Sequence, residues 1–155
     1  MGNGYLEVIA LIERLHRNFL EVVRLELDEF GVHDINNVQA LMLFNIGDAE
    51  MPVGELLQRG CYLGSNVSYN VKKLVENGYL SQERSTHDRR SINVRLTAKG
   101  ARLRDRLDAM HQRHTQMLDQ FAISSADLRA AVVTLRRLQH FWTITGDREQ
   151  RFGIA

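Results

Sequence analysis

The stretch from Gly64 to Gly78, GSNVSYNVKKLVENG, places the tightest limit on what this chain can fold into. Wound as a helix at about 100° per residue, it puts Val67, Val71, Leu74 and Val75 on one face, the i, i+4, i+7, i+8 spacing of an amphipathic segment. The opposite face carries Ser65, Asn66, Tyr69, Lys72, Lys73 and Glu76, with Ser68 and Asn70 on the flanks. Past Gly78, Tyr79 to Arg84 and Ile92 to Leu96 read as two short strands; the second alternates Ile92, Val94 and Leu96 with Asn93 and Arg95. A basic loop, Ser85-Thr86-His87-Asp88-Arg89-Arg90-Ser91, joins them. In its plainest form this is an amphipathic helix beside a hairpin. The outer face of the helix argues for more: hydrogen-bonding side chains at its N-terminal end suit base edges, and ammonium groups at its C-terminal end suit phosphates.

Charge supports the same reading. The net charge of the chain is +1, yet from Arg59 to Arg106 there are eleven basic against four acidic side chains, a local +7 that leaves −6 for the remainder. A near-neutral protein with one basic segment carries an electrostatic footprint for a polyanion, or else a chance cluster on a solvated face.

Helical periodicity organises the rest. Tyr5 to Phe30 forms one long helix on Tyr5, Val8, Ile12, Leu15, Phe19, Val22, Val23 and Phe30, with Gly31 as its C-cap. Further apolar residues beside that stripe make it wider than one contact face requires, which predicts burial against a second chain. Asp34 serves as N-cap of a second helix through Ile46, and Pro52 opens a short third helix, Val53 to Arg59. Thr97 caps a fifth helix reaching about Phe121, and Ser124 with Asp127 forms a capping box for a last helix through Thr143. Residues 146–155 are expected to be a frayed tail. Helix, strand, basic loop, strand is the order of a winged helix-turn-helix. The predicted fold is mainly α with a small β-hairpin wing and long N- and C-terminal dimerisation helices. Its regions are 1–33 and 98–145 for dimerisation, 34–97 for DNA binding, and 146–155 as tail.

Several classes are set aside. No apolar run approaches the roughly 18–20 residues of a membrane span and no signal peptide opens the chain, which points to the cytoplasm. There is one cysteine, so no internal disulfide. Gly-rich phosphate loops, nucleophile–base patterns, HExxH and CxxC are absent from the sequence, so no enzyme and no cofactor is expected.

The segment Asp88-Arg89-Arg90-Ser91-Ile92-Asn93-Val94-Arg95-Leu96-Thr97 followed by Gly100 resembles the D-x-R-x-x-x-V-x-L-T-x-x-G wing of the MarR family of bacterial transcription regulators. The resemblance covers almost the whole chain, and Leu74-Val75-Glu76-Asn77-Gly78-Tyr79-Leu80 is also typical. The residues from Gly60 to Asn70 are similar to the LdtR-type subgroup. The resemblance implies a homodimer with interlocked terminal helices on a pseudo-palindromic double-stranded DNA operator, with a small-molecule or redox signal releasing the DNA. Release of DNA by a signal describes a repressor, although repression or activation depends on where the operator lies relative to a promoter.

Within that scheme Ser65, Asn66, Ser68, Tyr69 and Asn70 meet base edges, since asparagine can bond adenine bidentately and small hydroxyls allow close approach. Lys72, Lys73 and Arg89 reach phosphates. The family pattern places Arg90 at the wing tip, in a minor groove, and Asp88 orients an arginine. A family-type effector cleft would include His16, Phe19, Asn37, Leu41 and His111, walls suited to an aromatic or weakly acidic ligand. Cys61, in a tight turn, reads as a small buried group rather than a redox sensor. His111 and His114, spaced i, i+3, depart from the metal-sensing pattern, so no metal is assigned. The alternatives are a metal- or redox-sensing regulator, or a winged-helix protein–protein adaptor; the adaptor would need neither the +7 segment nor the D-x-R wing.

Overall fold

The computed structural model describes residues 4–60, 64–88 and 90–152, which divide into two compact units, 1–111 and 112–155. Helix α1 (Gly4–Glu29) ends where the sequence predicts. Gly31 takes φ +77°, its N–H donates to Asp28 O at 3.1 Å, and the Val32 N–H donates to Leu27 O at 2.8 Å. This is the Schellman arrangement, which a residue without Cβ enters without strain. Only the last turns of α1 are buried, through Val23, Glu26 and Leu27; Leu6 is 73% exposed and Leu15 60%.

Helix α2 (Asn37–Phe44) starts later than expected. Its N-cap is Asn36, not Asp34: the Asn36 side chain accepts the Gln39 N–H at 2.8 Å while Gln39 Oε1 accepts the Asn36 N–H at 3.0 Å, a full capping box. Asp34 is engaged elsewhere, as shown below. Pro52 also differs from expectation. It lies in a two-residue strand β1 (Met51–Pro52), ahead of α3 (Val53–Gly60) rather than inside it. As an edge strand, β1 tolerates a residue with no N–H to give.

Helix α4 (Gly64–Glu76) is followed by β2 (Leu80–Arg84) and β3 (Ile92–Leu96). The antiparallel sheet has the order β1–β3–β2, with Met51 opposite Val94, Leu80 opposite Leu96 and Arg84 opposite Ile92. Helix α5 (Ala98–Met117) is capped by Thr97, whose Oγ1 accepts the Gly100 N–H at 3.1 Å. It stops before Phe121: residues Leu118–Phe121 tighten into a 3-10 turn that Ala122 closes in the left-handed region. Val23, Leu27, Met42, Leu43, Ile46, Leu56, Val67, Val71, Leu74, Val94, Leu103, Leu107 and Met110 form one core within residues 1–111.

The second unit holds α6 (Ser125–Phe152). Asp127 Oδ2 accepts the Ser124 N–H at 2.8 Å and Ser124 Oγ accepts the Asp127 N–H at 3.1 Å, the predicted capping box. The backbone N–H and hydroxyl of Ser124 both favour the ionised Asp127 and lower its pKa. The helix runs past Thr143 through most of the expected tail. Thr143 and Thr145 donate their hydroxyls back to Gln139 O and Phe141 O at 2.9 and 2.8 Å, so these polar residues are accommodated within the helix. Leu128, Val132, Leu135, Phe141 and Trp142, expected to be apolar contact positions, are exposed in the single chain.

Candidate nucleic-acid interface

The interface is built on α4. Val67, Val71 and Leu74 face the core, and their burial turns Asn66, Ser68, Tyr69 and Lys72 to solvent, with Tyr69 58% exposed. Asn70 departs from the expected set: it is buried, and its Oδ1 accepts from Gln39 Nε2 at 3.2 Å. Buried and bonded to Gln39, the Asn70 amide is turned away from the solvent face on which a base edge would lie. Arg89, Cys61 and the side chain of Ser65 lie outside the described residues. The Gly60–Asn70 stretch behind the subgroup resemblance is therefore only partly visible.

The wing tip is closed by hydrogen bonds. The Ser85 N–H donates to Ser91 O at 2.9 Å and the Ser91 N–H to Asp88 O at 3.0 Å. Ser85 Oγ accepts the N–H groups of His87 and Asp88 at 3.2 and 3.3 Å, and Asp88 Oδ1 accepts the Arg90 N–H at 3.0 Å. The carboxylate of Asp88 thus holds Arg90 by its backbone and leaves the guanidinium exposed. Ile92, expected on the buried face of its strand, is exposed at the wing end. It lines a cleft of about 410 Å³ with Ser68, Lys72, Gln82, Arg90 and Ser91. Helix and wing share this one concavity. Gln82 and Ile92 were missed as candidates because the period-2 pattern marks which face a strand residue takes, not what that face borders.

Ion pairing redistributes the basic segment. Arg59 pairs with Glu55, Lys73 with Glu76, Arg95 with Glu50, Lys99 with Asp34, Arg104 with Asp48 and Arg106 with Glu26. Five of those carboxylates come from outside the +7 segment. Among the described residues of this segment, Arg84, Arg90 and Arg102 have no carboxylate within 4.0 Å, so two of its three uncompensated cations sit on the wing. Lys72 lies 4.0 Å from Glu76, an exposed contact weak enough to exchange for a phosphate.

The base of the wing is tied down by Asp34. Its Oδ1 accepts the Tyr79 hydroxyl at 2.7 Å and its Oδ2 accepts Lys99 Nζ at 3.0 Å, while Lys99 also reaches Asn77 O at 2.9 Å. Burial works against the Asp34 carboxylate, but the bonds from Tyr79 and Lys99 outweigh it and lower its pKa. Burial first, and then Asp34, raise the pKa of Tyr79.

The expected effector residues are partly brought together. Phe19 stacks on His111 with centroids 5.9 Å apart, and Phe44, not anticipated from the sequence, adds a tilted ring 5.0 Å from His111. Leu41 is half-buried, His16 is exposed, and Asn37 Nδ2 donates to Leu20 O at 3.0 Å. Asn37 also lines a cavity of about 210 Å³ with Arg24, Asp28, His33 and Ile35 among its other walls. Among the described residues no group of three or more His, Cys, Asp or Glu could hold a metal ion, and no helix is long and apolar enough to cross a membrane.

Residues 35–100 match the family described as a winged helix DNA-binding domain. The exopolysaccharide II synthesis transcriptional activator ExpG of Rhizobium meliloti (strain 1021) is 39% identical over 150 residues, covering 97% of this chain and 75% of ExpG. The fold is that of Streptococcus pneumoniae FabT in complex with DNA, with a TM-score of 0.72 at 19% identity over 91% of this chain and 99% of that one. A MarR mutant from E. coli complexed with operator DNA also gives 0.72, at 17% identity over 88% and 96% of the two chains. The chain belongs to the MarR family. This MarR-family chain is a DNA-binding transcription regulator, and its α4 and wing occupy the DNA-binding region that the matched domain delimits.

Proposed function

We propose that this regulator binds a pseudo-palindromic operator as a homodimer. Each α4 enters a major groove and each wing reaches the adjoining minor groove. The observation that carries the reading is the single cleft shared by Ser68 and Lys72 of the helix and Arg90 of the wing. Asn66, Ser68 and Tyr69, with Ser65, contact base edges; Lys72, Lys73 and Arg89 contact phosphates; Arg90 enters the minor groove. Asp88 acts by shaping the wing tip, and Asn70 acts from inside. The homodimer is supported by the apolar side chains that α1 and α6 each leave exposed in one chain, Leu6, Leu15, Val132 and Phe141 among them. An aromatic or weakly acidic effector near Phe19 and His111 modulates binding. The protein works in the cytoplasm, where its DNA is. The ExpG relative, an activator by name, favours activation over the repression that ligand-released binding suggests.

Selection of genomic fragments by the purified protein, followed by footprinting, tests this. Two equivalent protected half-sites about one helical turn apart are expected. A single unsymmetrical half-site, or retention of all fragments alike, would overturn it.

A further inference from the structure

Beneath the outer face of α4 lies one buried polar pair. Gln39 of α2 is 5% exposed and Asn70 of α4 7%. Gln39 Oε1 accepts the Asn36 N–H at 3.0 Å, and Gln39 Nε2 donates to Asn70 Oδ1 at 3.2 Å. An amide has one accepting and one donating end, so the first bond dictates the second: with its oxygen held by the cap, Gln39 offers α4 only N–H, and Asn70 answers with its oxygen. Two residues before Gln39, Asn37 is fixed to α1 through Leu20 O.

Among the described residues, the other buried side chains of α4 are aliphatic: Val67, Val71 and Leu74. Hydrophobic contact is non-directional, so it resists separation far more than a small rotation of the helix about its own axis. Rotation matters here. A turn of about 20° carries an atom about 6 Å from the axis through about 2 Å, well beyond the few tenths of an ångström over which hydrogen-bond distances vary. We propose that Gln39 is a positioning residue for DNA recognition: its bond to Asn70 sets the rotation of α4 and hence where Asn66, Ser68 and Tyr69 point. The inference rests on α4 being the base-reading helix.

The test compares two affinities for each variant of the full chain: for the duplex that wild-type protein selects from a random-sequence library, and for poly(dI-dC). Their ratio isolates base reading, because phosphate attraction enters both. Gln39 is buried, so it cannot touch DNA itself, and its bond in the α2 cap is controlled for separately. Gln39→Leu is expected to lower the ratio roughly tenfold, within the range of one lost base contact, with poly(dI-dC) affinity unchanged. Asn36→Ala, which weakens the α2 cap but keeps the backbone N–H that Gln39 accepts, lowers the melting temperature and leaves the ratio at the wild-type value. The double variant Gln39→Leu/Asn70→Leu removes both polar groups and keeps the fold should the single variant fail to; its ratio also falls, and no further than that of Gln39→Leu. A double variant that keeps the wild-type ratio overturns the positioning role. If Tyr69→Ala and Asn66→Ala both leave the ratio unchanged, α4 does not read bases and the proposal falls with that reading. A loss with Tyr69→Ala and none with the double variant removes the positioning role alone.

Discussion

Gly100 lies so close to Tyr79 that a Cβ at position 100 would stand 2.1 Å from the Tyr79 carbonyl oxygen. The same oxygen accepts the Thr97 N–H at 3.1 Å, and Thr97 Oγ1 donates to Gly78 O at 2.6 Å. The start of α5 is thereby joined to the exit of α4. Gly100→Ala must force the two apart, at a cost of about 1–3 kcal/mol, the usual range for overpacking. The expected drop in urea midpoint would be absent if α5 could shift freely.

The wing and the helix should fail differently. Arg90→Ala is expected to weaken operator binding and reduce the salt slope by about one counterion while leaving the fold intact, since its guanidinium is exposed. Tyr69→Ala should instead change which sequences are preferred, at about 1–3 kcal/mol per lost base contact. Unchanged affinity and salt slope in Arg90→Ala would remove the wing from the interface.

Asp34 gives the stability a pH dependence on the acid side. Its carboxyl is held below the ordinary 3.8 in the folded chain. The contribution is therefore complete above the unfolded-state value and disappears as pH falls through the lower folded-state value. Asp34→Asn should be less stable than wild type at pH 7, with the difference narrowing below about pH 4. Denaturant titrations at both pH values read this out; a gap that does not depend on pH would show that the charge of Asp34 is immaterial.

Sedimentation should find a dimer at low micromolar concentration. A folded monomer there would mean that the apolar side chains of α1 and α6 tolerate water, and the dimeric reading would fail.

Control by a ligand carries a reciprocity. A phenolic or carboxylate aromatic that lowers operator affinity must itself bind the operator complex more weakly, by the same factor. Paired titrations into free protein and into the complex check this, and equal ligand affinities would show that the effector is not coupled to DNA.

Much of this fold was legible because its signals are local. The apolar spacing of α4, the alternation in β3, Gly31 and the Ser124–Asp127 box each act within a few residues. The misreadings came from competition over longer range. Asp34 has good cap chemistry, but Tyr79, 45 residues away, and Lys99 claim its oxygens, and the cap passes to Asn36. Pro52 suits a helix start equally well as an edge strand, and only β3, some forty residues downstream, decides between them. The candidate site shows the same division. Asn66 and Tyr69 were visible from spacing, whereas Gln39 and the inward turn of Asn70 exist only once α2 packs on α4. The charge of the basic segment is redistributed over a comparable range, since Glu26, Asp34 and Asp48 pair with its cations from distant parts of the chain.

The closed wing tip has a bearing on how binding energy is spent. Ser85, Asp88 and Ser91 already hold one another and the Arg90 N–H before any DNA arrives. In the proposed complex, docking then freezes side chains instead of the whole loop, so more of the Arg90 guanidinium's attraction to the groove remains available. Shape and chemistry are held by different residues here. On that proposal, exchanging the side chain at position 90 should retune groove preference while the hydrogen bonds that shape the tip stay as they are.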